Sequence, residues 1–181
     1  MNIKENYLIE KYGLKVRYVQ EYDAERILKL RVDEKLSKHL HKTENDIDKQ
    51  LAYIRNYKLK EYKKEEFYFA FVLEESLYPI GFYRIHDINY NAKTFTIGSW
   101  IFEQNCGIYP VLADILLKEY GFEYLNLEFC YFDVRKMNKS VLKYHSYFSP
   151  IKINEDRDNV YFCLKKCDFI NVKENILGLL L

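Results

Sequence analysis

The sequence predicts a mixed α/β fold of the α+β type, built around one mainly antiparallel sheet. Two observations lead to this prediction. Amphipathic helical segments follow a first strand, and three strands then come in close succession with only short turns between them. The predicted order is β, α, α, β, β, β, α, β, α, β. With 181 residues, 49% of them hydrophobic, the chain suits one well-buried domain over 1–181, with its core at about 14–164 and a tail at 165–181.

The first strand and two helices are predicted from residues 14–62. Residues 14–23 alternate well enough for a strand, and Asp23 is expected to cap the helix that follows. Thr43 is expected to open the second helix, with Asp46 as its capping-box partner. The apolar residues of the first helix recur every four positions: Leu28, Val32, Leu36 and Leu40.

Three strands follow at 67–75, 78–88 and 93–102. The first of them is apolar on both faces, which indicates a central position in the sheet. Because only short turns separate the three segments, we expect an antiparallel meander.

The second half of the chain predicts two more helices and two more strands. A helix is expected to start at Pro110, a residue suited to the first helical position. The near-continuous apolar run at 127–134 indicates a buried strand. Asn138 is expected to cap the next helix, and a last strand is predicted at 160–164, before a tail that can be helical.

Composition and charge exclude several classes of partner. A formal net charge of +1 gives no overall attraction to nucleic acid or to an anionic membrane. No apolar run approaches the length of a membrane span, and residues 1–13 lack the apolar stretch of a signal peptide. The cysteines form no C-x-x-C pair, which favours reduced thiols in a cytoplasmic protein without a metal site. The basic and aromatic segment 53–69 also carries Glu61, Glu65 and Glu66, so we interpret it as a solvated helix face rather than a site for single-stranded RNA.

Together with this order, three local segments resemble the GCN5-related N-acetyltransferase (GNAT) family. TIGSWI (96–101) is similar to the fourth strand of the ribosomal-protein-alanine acetyltransferase branch, and FDVRKMNKSVLKYHSYFSP (132–150) to its fifth strand and fourth helix. ILKLRVDEKLSKHL (27–40) is similar to the first helix of that branch. The resemblance, which covers about 14–164, implies the GNAT fold, with a sheet splayed between its fourth and fifth strands. It also implies direct transfer of an acetyl group from acetyl-CoA to a primary amine in a ternary complex.

The resemblance places the cofactor at the end of the fourth strand. The backbone of Trp100, Ile101 and Phe102 is expected to pair with the pantetheine arm, as an added strand would. The pyrophosphate is expected at the start of the following helix, where N–H groups and the helix dipole favour an anion.

The phosphate-binding loop departs from the family motif, which is Gln or Arg, two residues, Gly, one residue, then Gly or Ala. Gln104 and Gly107 match, and Ile108 follows. Tyr109 stands where a small residue is usual, so either the loop is displaced or the phosphate sits further out. Cys106 replaces a basic residue that is common in the family.

The proton donor is expected on the fourth helix. In the family an Asn opens this helix and contacts the cofactor arm, and a Tyr seven residues later donates a proton to the thiolate. Asn138 matches, and the position seven residues later is His145, whose imidazolium can donate a proton. Tyr144 is the alternative donor. His145 also shares a helix face with Phe148, so a packed structural role is equally compatible with the pattern.

The general base and the acceptor are less defined by the sequence. The related branch often has a Glu where Thr96 stands, which leaves Glu103, His86, Asp87 or a water chain as candidate bases. Arg84, His86 and Asp87 end the third strand, where an acceptor is expected to approach.

The FDVRK-x-N-x-x-V-x-x-x-H pattern resembles relatives of surface-polysaccharide pathways, which suggests a nucleotide-linked amino sugar as acceptor. The alternatives are a protein N-terminal amine and a non-catalytic domain of the same fold. No cysteine has an activating partner in the sequence, so no covalent acetyl-enzyme is expected. A homodimer is an expectation from similar proteins.

Overall fold

Within residues 6–181, eight strands form one mixed, open sheet in the order β1-β2-β3-β4-β5-β6-β8-β7, with five α-helices flanking it. This confirms the predicted fold class. The computed structural model describes residues 6–181, so part of the N-terminal segment that was searched for a signal peptide lies outside it. The strands are β1 (Ile9–Lys11), β2 (Leu14–Tyr18), β3 (Phe67–Leu73), β4 (Pro79–Asn89), β5 (Thr94–Phe102), β6 (Phe129–Arg135), β7 (Ile151–Glu155) and β8 (Asn159–Lys165).

The α-helices are α1 (Ala24–Val32), α2 (Ile47–Tyr62), α3 (Tyr109–Glu119), α4 (Lys139–Ser146) and α5 (Lys166–Leu180). A 3₁₀ turn precedes α1 at Glu21–Asp23, and a π-helical turn at Tyr120–Tyr124 continues α3. No helix within residues 6–181 combines the length and the hydropathy needed to cross a bilayer.

By its internal contacts the chain divides into two units. Unit 1 comprises Met1–Arg84, described from residue 6 onward, and Ser99–Asp114; unit 2 comprises Ile85–Gly98 and Ile115–Leu181. The division cuts β4, β5 and α3, each of which continues from one unit into the other. The single-domain assignment stays a prediction.

Unit 1 is built on the antiparallel pairs β1–β2 and β2–β3. All but the last residue of β3 are buried, as its two-sided apolar pattern predicted. Helices α1 and α2 cover a core whose buried members include Ile27, Ile54, Tyr57 and Phe82. This core fixes the positions of both helices over the sheet.

Unit 2 is built on the antiparallel pairs β6–β8 and β7–β8 and on aromatic contacts. The rings of Phe95 and Phe122 meet edge to face at 5.1 Å between centroids, and Phe169 of α5 packs against both Phe122 and Phe148. The aromatic richness of the sequence therefore serves core packing here.

The first helix ends earlier than predicted, at Val32 instead of near Leu40. Asp33 stops it, because its carboxylate accepts the N–H groups of Lys35 and Leu36 and so stabilises a turn. Leu36 and Leu40 still pack against the unit 1 core, but from the loop. The four-residue periodicity therefore predicted correctly that Leu36 and Leu40 contact the core, but wrongly that they belong to the helix.

Both predicted N-caps in this region are wrong in detail. The Asp23 carboxylate does not cap α1; it binds Arg17 through two hydrogen bonds of 2.7 and 2.9 Å and is itself buried. The second helix opens at Asp46, whose carboxylate accepts the Lys49 N–H at 3.0 Å. Thr43 lies in the preceding loop.

Two short edge strands, β1 and β7, are absent from the predicted order. Every residue of β7 is exposed, and β1 has no buried residue. Strands without a buried face lack the alternation from which a strand is recognised in a sequence. The tail is helical, as α5.

Candidate active site

The parallel ladder between β5 and β6 is short. It comprises three residue pairs and ends at Thr96–Tyr131, although β5 continues to Phe102 and β6 to Arg135. The ladder therefore covers only the first part of β5. This is the strand arrangement that a splayed sheet requires.

The end of β5 is held rigidly within unit 1. Phe102 is buried over Gly81, where an added Cβ would lie only 2.1 Å from the Phe102 ring, so this position requires glycine. Beyond the strand, Glu103 N–H donates to the Ile80 carbonyl at 2.8 Å. Trp100 stacks on Tyr83 with 5.5 Å between ring centroids. The backbone that was predicted to bind pantetheine is thus fixed from its β4 side.

The loop after β5 forms a turn that exposes backbone N–H groups. Gly107 has a positive φ of 56°, and an added Cβ there would meet nothing within 4 Å. The first bonds of α3 run from Val111 and Leu112 to the Ile108 carbonyl. Within residues 6–181, the N–H groups of Gly107 and Ile108 donate to no other backbone group. They precede the positive end of the α3 dipole, which favours an anion.

Tyr109 lies against the β1–β2 turn. Gly13 in that turn has a positive φ of 74°, and a Cβ built on it would be 3.4 Å from the Tyr109 ring and hydroxyl. The side chain that replaces the usual small residue is therefore packed on protein, while the space around Gly107 is open.

Glu103 and Cys106 have local partners at the loop. The Glu103 carboxylate forms an ion pair with Arg26, whose Nε also donates to the Pro79 carbonyl at 3.0 Å. Burial raises the pKa of the Cys106 thiol to about 11; the nearby Glu103 carboxylate adds to the rise and Arg26 opposes it. Cys106 is therefore a neutral thiol at physiological pH, which makes it a poor nucleophile.

Asn138 caps α4 in unit 2, as predicted. Its side-chain oxygen accepts the Val141 N–H at 3.4 Å and the Ser140 hydroxyl at 3.1 Å. The cap uses the amide oxygen only, so the two N–H donors of the side chain are not committed to it.

His145 is buried in unit 2 next to the fully buried Lys118. Only 3% of His145 is exposed, and its Nδ1 lies 3.5 Å from the Lys118 ammonium. Because an ammonium only donates, Nδ1 is the acceptor and the ring proton belongs on Nε2. The Lys118 ammonium also lies over the rings of Phe132, Tyr144 and Phe148, at 5.7, 5.4 and 4.6 Å from their centroids. Tyr144 itself is half-buried.

His86 and Asp87 form a hydrogen-bonded pair in unit 2, with His86 Nδ1 2.8 Å from the Asp87 carboxylate. Nδ1 donates this bond when the ring is neutral, and the ring proton is then on Nδ1. Asp87 has a positive φ of 51°, a strained backbone conformation that recurs at functional sites.

Arg84 lines a cavity of about 410 Å³ that lies entirely within unit 1. Its Nη1 bonds to the Tyr53 hydroxyl at 2.5 Å and to the buried Glu66 carboxylate at 3.1 Å. The cavity is formed by the end of α1, the loop before α2, the first turns of α2 and three strands. Its lining residues are Arg31, His41, Lys42, Thr43, Glu44, Asp46, Lys49, Gln50, Tyr53, Tyr68, Arg84 and Ser99.

Comparison with known proteins identifies the family. The model of the GNAT acetyltransferase domain matches residues 14–146. The chain belongs to the GNAT family. Its structure is similar to that of apo FdhC, a nucleotide-linked sugar GNAT, with a TM-score of 0.85, 34% identity, and coverage of 97% of this chain and 99% of the other. No curated protein sequence matches the chain significantly.

Two more distant structures share the GNAT fold. Spermidine N-acetyltransferase from Vibrio cholerae, in complex with CoA and spermine, gives a TM-score of 0.73 at 18% identity, over 89% of this chain and all of the other (100%). Ribosomal-protein-S5-alanine acetyltransferase from Vibrio fischeri gives 0.75 at 17% identity, over 89% and 97%. The predicted family and the predicted acetyltransferase activity are confirmed.

Within this GNAT acetyltransferase, the predicted site residues separate by unit. Unit 1 holds the β5 end, the phosphate loop, Glu103 and Arg84; unit 2 holds Asn138, Tyr144, His145, His86 and Asp87. Their roles stay predictions. Within residues 6–181, no cluster of three or more His, Cys, Asp or Glu side chains could hold a metal ion.

Several residues of the cavity were missed by the sequence analysis. Arg31 was placed in the middle of an overlong helix, whereas it lies one residue before the end of α1 and faces the cavity. Tyr53 was assigned to a helix that packs on one side and is solvated on the other, without a place at a site. Asp33 is the signal that could have shown where this helix ends, because an Asp at that position favours a turn. A helix end at Asp33 places Arg31 in the last turn. Ser99 gives no such signal in the sequence. Its φ inside β5 is positive, at 59°, and serine is not a residue type that favours this conformation.

Proposed function

We propose that this acetyltransferase transfers the acetyl group of acetyl-CoA directly to the amine of a nucleotide-linked amino sugar. The observation that carries the proposal is the unit 1 cavity, whose wall holds more cations than carboxylates. The relative of 34% identity, described as a nucleotide-linked sugar GNAT, supports the same acceptor class. A nucleotide-linked sugar carries a diphosphate, which an excess of cations favours.

Acetyl-CoA binds, in this proposal, along the free part of β5 and at the start of α3. The backbone of Trp100, Ile101 and Phe102 pairs with the amides of the pantetheine arm. The N–H groups of Gly107 and Ile108 receive the pyrophosphate, next to Gln104 and with Tyr109 packed aside on the β1–β2 turn. The uncommitted Asn138 amide donates to the arm.

Tyr144 suits the role of proton donor better than His145. A protonated imidazole could not accept a hydrogen bond from the Lys118 ammonium at Nδ1, so this contact favours the neutral ring of His145. Tyr144 is half-buried and carries a hydroxyl that can protonate the departing thiolate. His145 then helps to hold the Tyr144 ring, which lies 5.0 Å from its own.

His86 is the favoured general base. The Asp87 carboxylate orients its imidazole ring, a group that can take a proton from the amine. Glu103 is committed to an ion pair with Arg26.

The cavity argues against a polyamine as acceptor. Polyamines are cations and need carboxylates, whereas Arg31 and Lys42 of this cavity have no carboxylate partner among residues 6–181. The charge of the wall therefore favours an anionic acceptor over a cationic one.

The test is release of free CoA with a panel of acceptors. UDP- and dTDP-linked amino sugars should be acetylated, whereas spermidine and an N-terminal alanine peptide should not. Acetyl-CoA alone should raise Tm. Tyr144→Phe should lower kcat about 100-fold with KM nearly unchanged, and Tyr147→Phe, on an exposed neighbour, is the matched control. Turnover of the peptide or of spermidine in preference to every nucleotide-linked sugar would overturn the proposal.

A further inference from the structure

We propose that Arg31, supported by Arg84 and Lys42, binds the diphosphate of the acceptor and thereby sets acceptor specificity. This inference rests on the proposed function and assigns its recognition step to named side chains. All three residues line the same cavity of unit 1.

Arg31 is a cation held in place without a counter-charge. Its Nε donates to the Thr43 hydroxyl at 2.7 Å, which fixes the plane of the guanidinium. In the part of the chain that the structure describes, no carboxylate lies within ion-pair distance of Arg31. Its terminal nitrogens are therefore available as a planar pair of donors, the geometry that binds two phosphate oxygens at once.

Arg84 provides the second anchor. Glu66 and the Tyr53 hydroxyl hold its Nη1, while its Nε is buried and has no hydrogen-bond acceptor among residues 6–181. Burial tends to lower the pKa of Arg84, but Tyr53 and Glu66 outweigh it and keep the group charged. A charged guanidinium that is already fixed on the cavity wall is a prepared partner for an anionic oxygen.

The cavity wall carries two carboxylates, Glu44 and Asp46, and four cations: Arg31, Lys42, Lys49 and Arg84. Lys49 is matched by Glu44 through an ion pair, and the Asp46 carboxylate caps α2. Lys42 is exposed, and no described carboxylate pairs with it. Arg31 and Lys42 are therefore the wall cations that have no carboxylate partner within residues 6–181, and a diphosphate diester carries two negative charges that would pair with them.

The dimensions of the cavity agree with this ligand. A volume of about 410 Å³ is within the range of small-molecule sites, and it exceeds what a single phosphate fills. Tyr53, 41% exposed on the wall, adds an aromatic surface beside the cations. We therefore expect the diphosphate together with part of its sugar or nucleoside, and not an isolated inorganic anion, as the natural occupant.

Isothermal titration calorimetry with UDP and with inorganic pyrophosphate tests the site in the absence of acetyl-CoA. The wild-type protein should bind UDP, and it should bind pyrophosphate more weakly. Arg31→Gln should weaken UDP binding about 10- to 100-fold, as expected for a lost bidentate charged contact. Arg31→Lys should recover only part of this loss, because lysine keeps the charge but not the planar fork.

Arg157→Gln is the matched control, since Arg157 is an exposed arginine in the β7–β8 turn and no part of the cavity wall. It should bind UDP like the wild type. If Arg31→Gln fails to fold, Lys42→Gln replaces it, with an expected loss of about threefold for one exposed charge. Unchanged UDP affinity in a folded Arg31→Gln protein would overturn the inference.

Steady-state kinetics separate this inference from the proposed function. If wild type acetylates a nucleotide-linked amino sugar and Arg31→Gln shows the same KM for it, the assignment of Arg31 is wrong and the function stands. If wild type acetylates other amines only, the function is wrong, while weaker UDP binding in Arg31→Gln would still support the anion site. A specific increase of KM for the sugar, with an unchanged Tm shift by acetyl-CoA, supports both.

Discussion

Arg84 in unit 1 and Lys118 in unit 2 are both cations in aromatic surroundings, but the protein accommodates them differently. Arg84 has a buried carboxylate, Glu66, as its partner and lies on a cavity wall. Lys118 is fully buried, with an imidazole nitrogen and three aromatic ring faces around its ammonium. The first arrangement leaves donor capacity for a ligand, whereas the second encloses the charge.

The difference indicates two purposes for a buried charge. Arg84 resembles a prepared binding group, because Glu66 and Tyr53 fix its orientation before any ligand arrives. Lys118 resembles a packing group, because cation–π contacts and its aliphatic stem fill the space between Phe132, Tyr144 and Phe148. Mutations should therefore affect ligand binding in one region and folding in the other.

The largest expected effect is on folding, from Lys118→Ala. Removing this side chain leaves a cavity among aromatic rings and takes a donor from His145, so we expect a loss of about 3 kcal/mol in the free energy of unfolding. Urea denaturation measures it. Lys143→Ala, on an exposed position of α4, should change the stability by less than about 0.5 kcal/mol.

Lys118→Met sharpens this prediction. Methionine restores most of the volume and makes favourable contacts with aromatic rings, so it should recover most of the stability. Equal losses in Lys118→Ala and Lys118→Met would show instead that the charge, and not the packing, is what this site requires.

An intermediate effect is expected from Glu66→Gln in unit 1. The substitution keeps the shape of the side chain but removes the charge that holds Arg84 at 3.1 Å and Lys60 at 3.1 Å. We expect a loss of about 1–2 kcal/mol in stability, because Tyr53 still binds Arg84. UDP affinity should fall as well, since Arg84 loses its fixed orientation. Glu65→Gln, an exposed neighbour, is the control.

Ligand binding would not belong to the Arg84 region if Glu66→Gln left UDP affinity unchanged and Lys118→Ala reduced it. Calorimetry on both variants, under conditions where both are folded, decides this. That result would assign the binding function to the enclosed cation.

Much of the fold follows from the sequence because its signals are local. The two-sided apolar pattern of β3 and the Asn138 cap of α4 need only neighbouring residues to be recognised, and both are confirmed. The cavity could not be predicted this way. It is formed by residues that are distant in sequence, such as Arg31, Arg84 and Ser99, and only the tertiary fold brings them to one wall.

The predicted chemistry at His145 shows the same limit. The seven-residue spacing from Asn138 places His145 on the correct helix, but the effect of Lys118 on it comes from another element. A neighbouring buried charge changes which protonation state is favourable, and no pattern within α4 reveals it. His145 occupies the position of the family's proton donor, but only the structure shows that Lys118 lies beside it.

The smallest effect on activity is expected from substitution of Cys106. Burial raises the pKa of its thiol, and the nearby Arg26 does not offset this rise. Because its pKa is raised from 9.0 to about 11, the thiolate fraction at pH 8 is about one in a thousand. Iodoacetamide should therefore modify Cys106 much more slowly than the exposed Cys167, with a rate that keeps rising above pH 9. Mass spectrometry of the modified peptides measures both rates.

Since direct transfer needs no thiol nucleophile, Cys106→Ala should keep kcat within about twofold of the wild type. A loss of 100-fold or more, together with an acetylated Cys106 peptide, would instead indicate a covalent acetyl-enzyme.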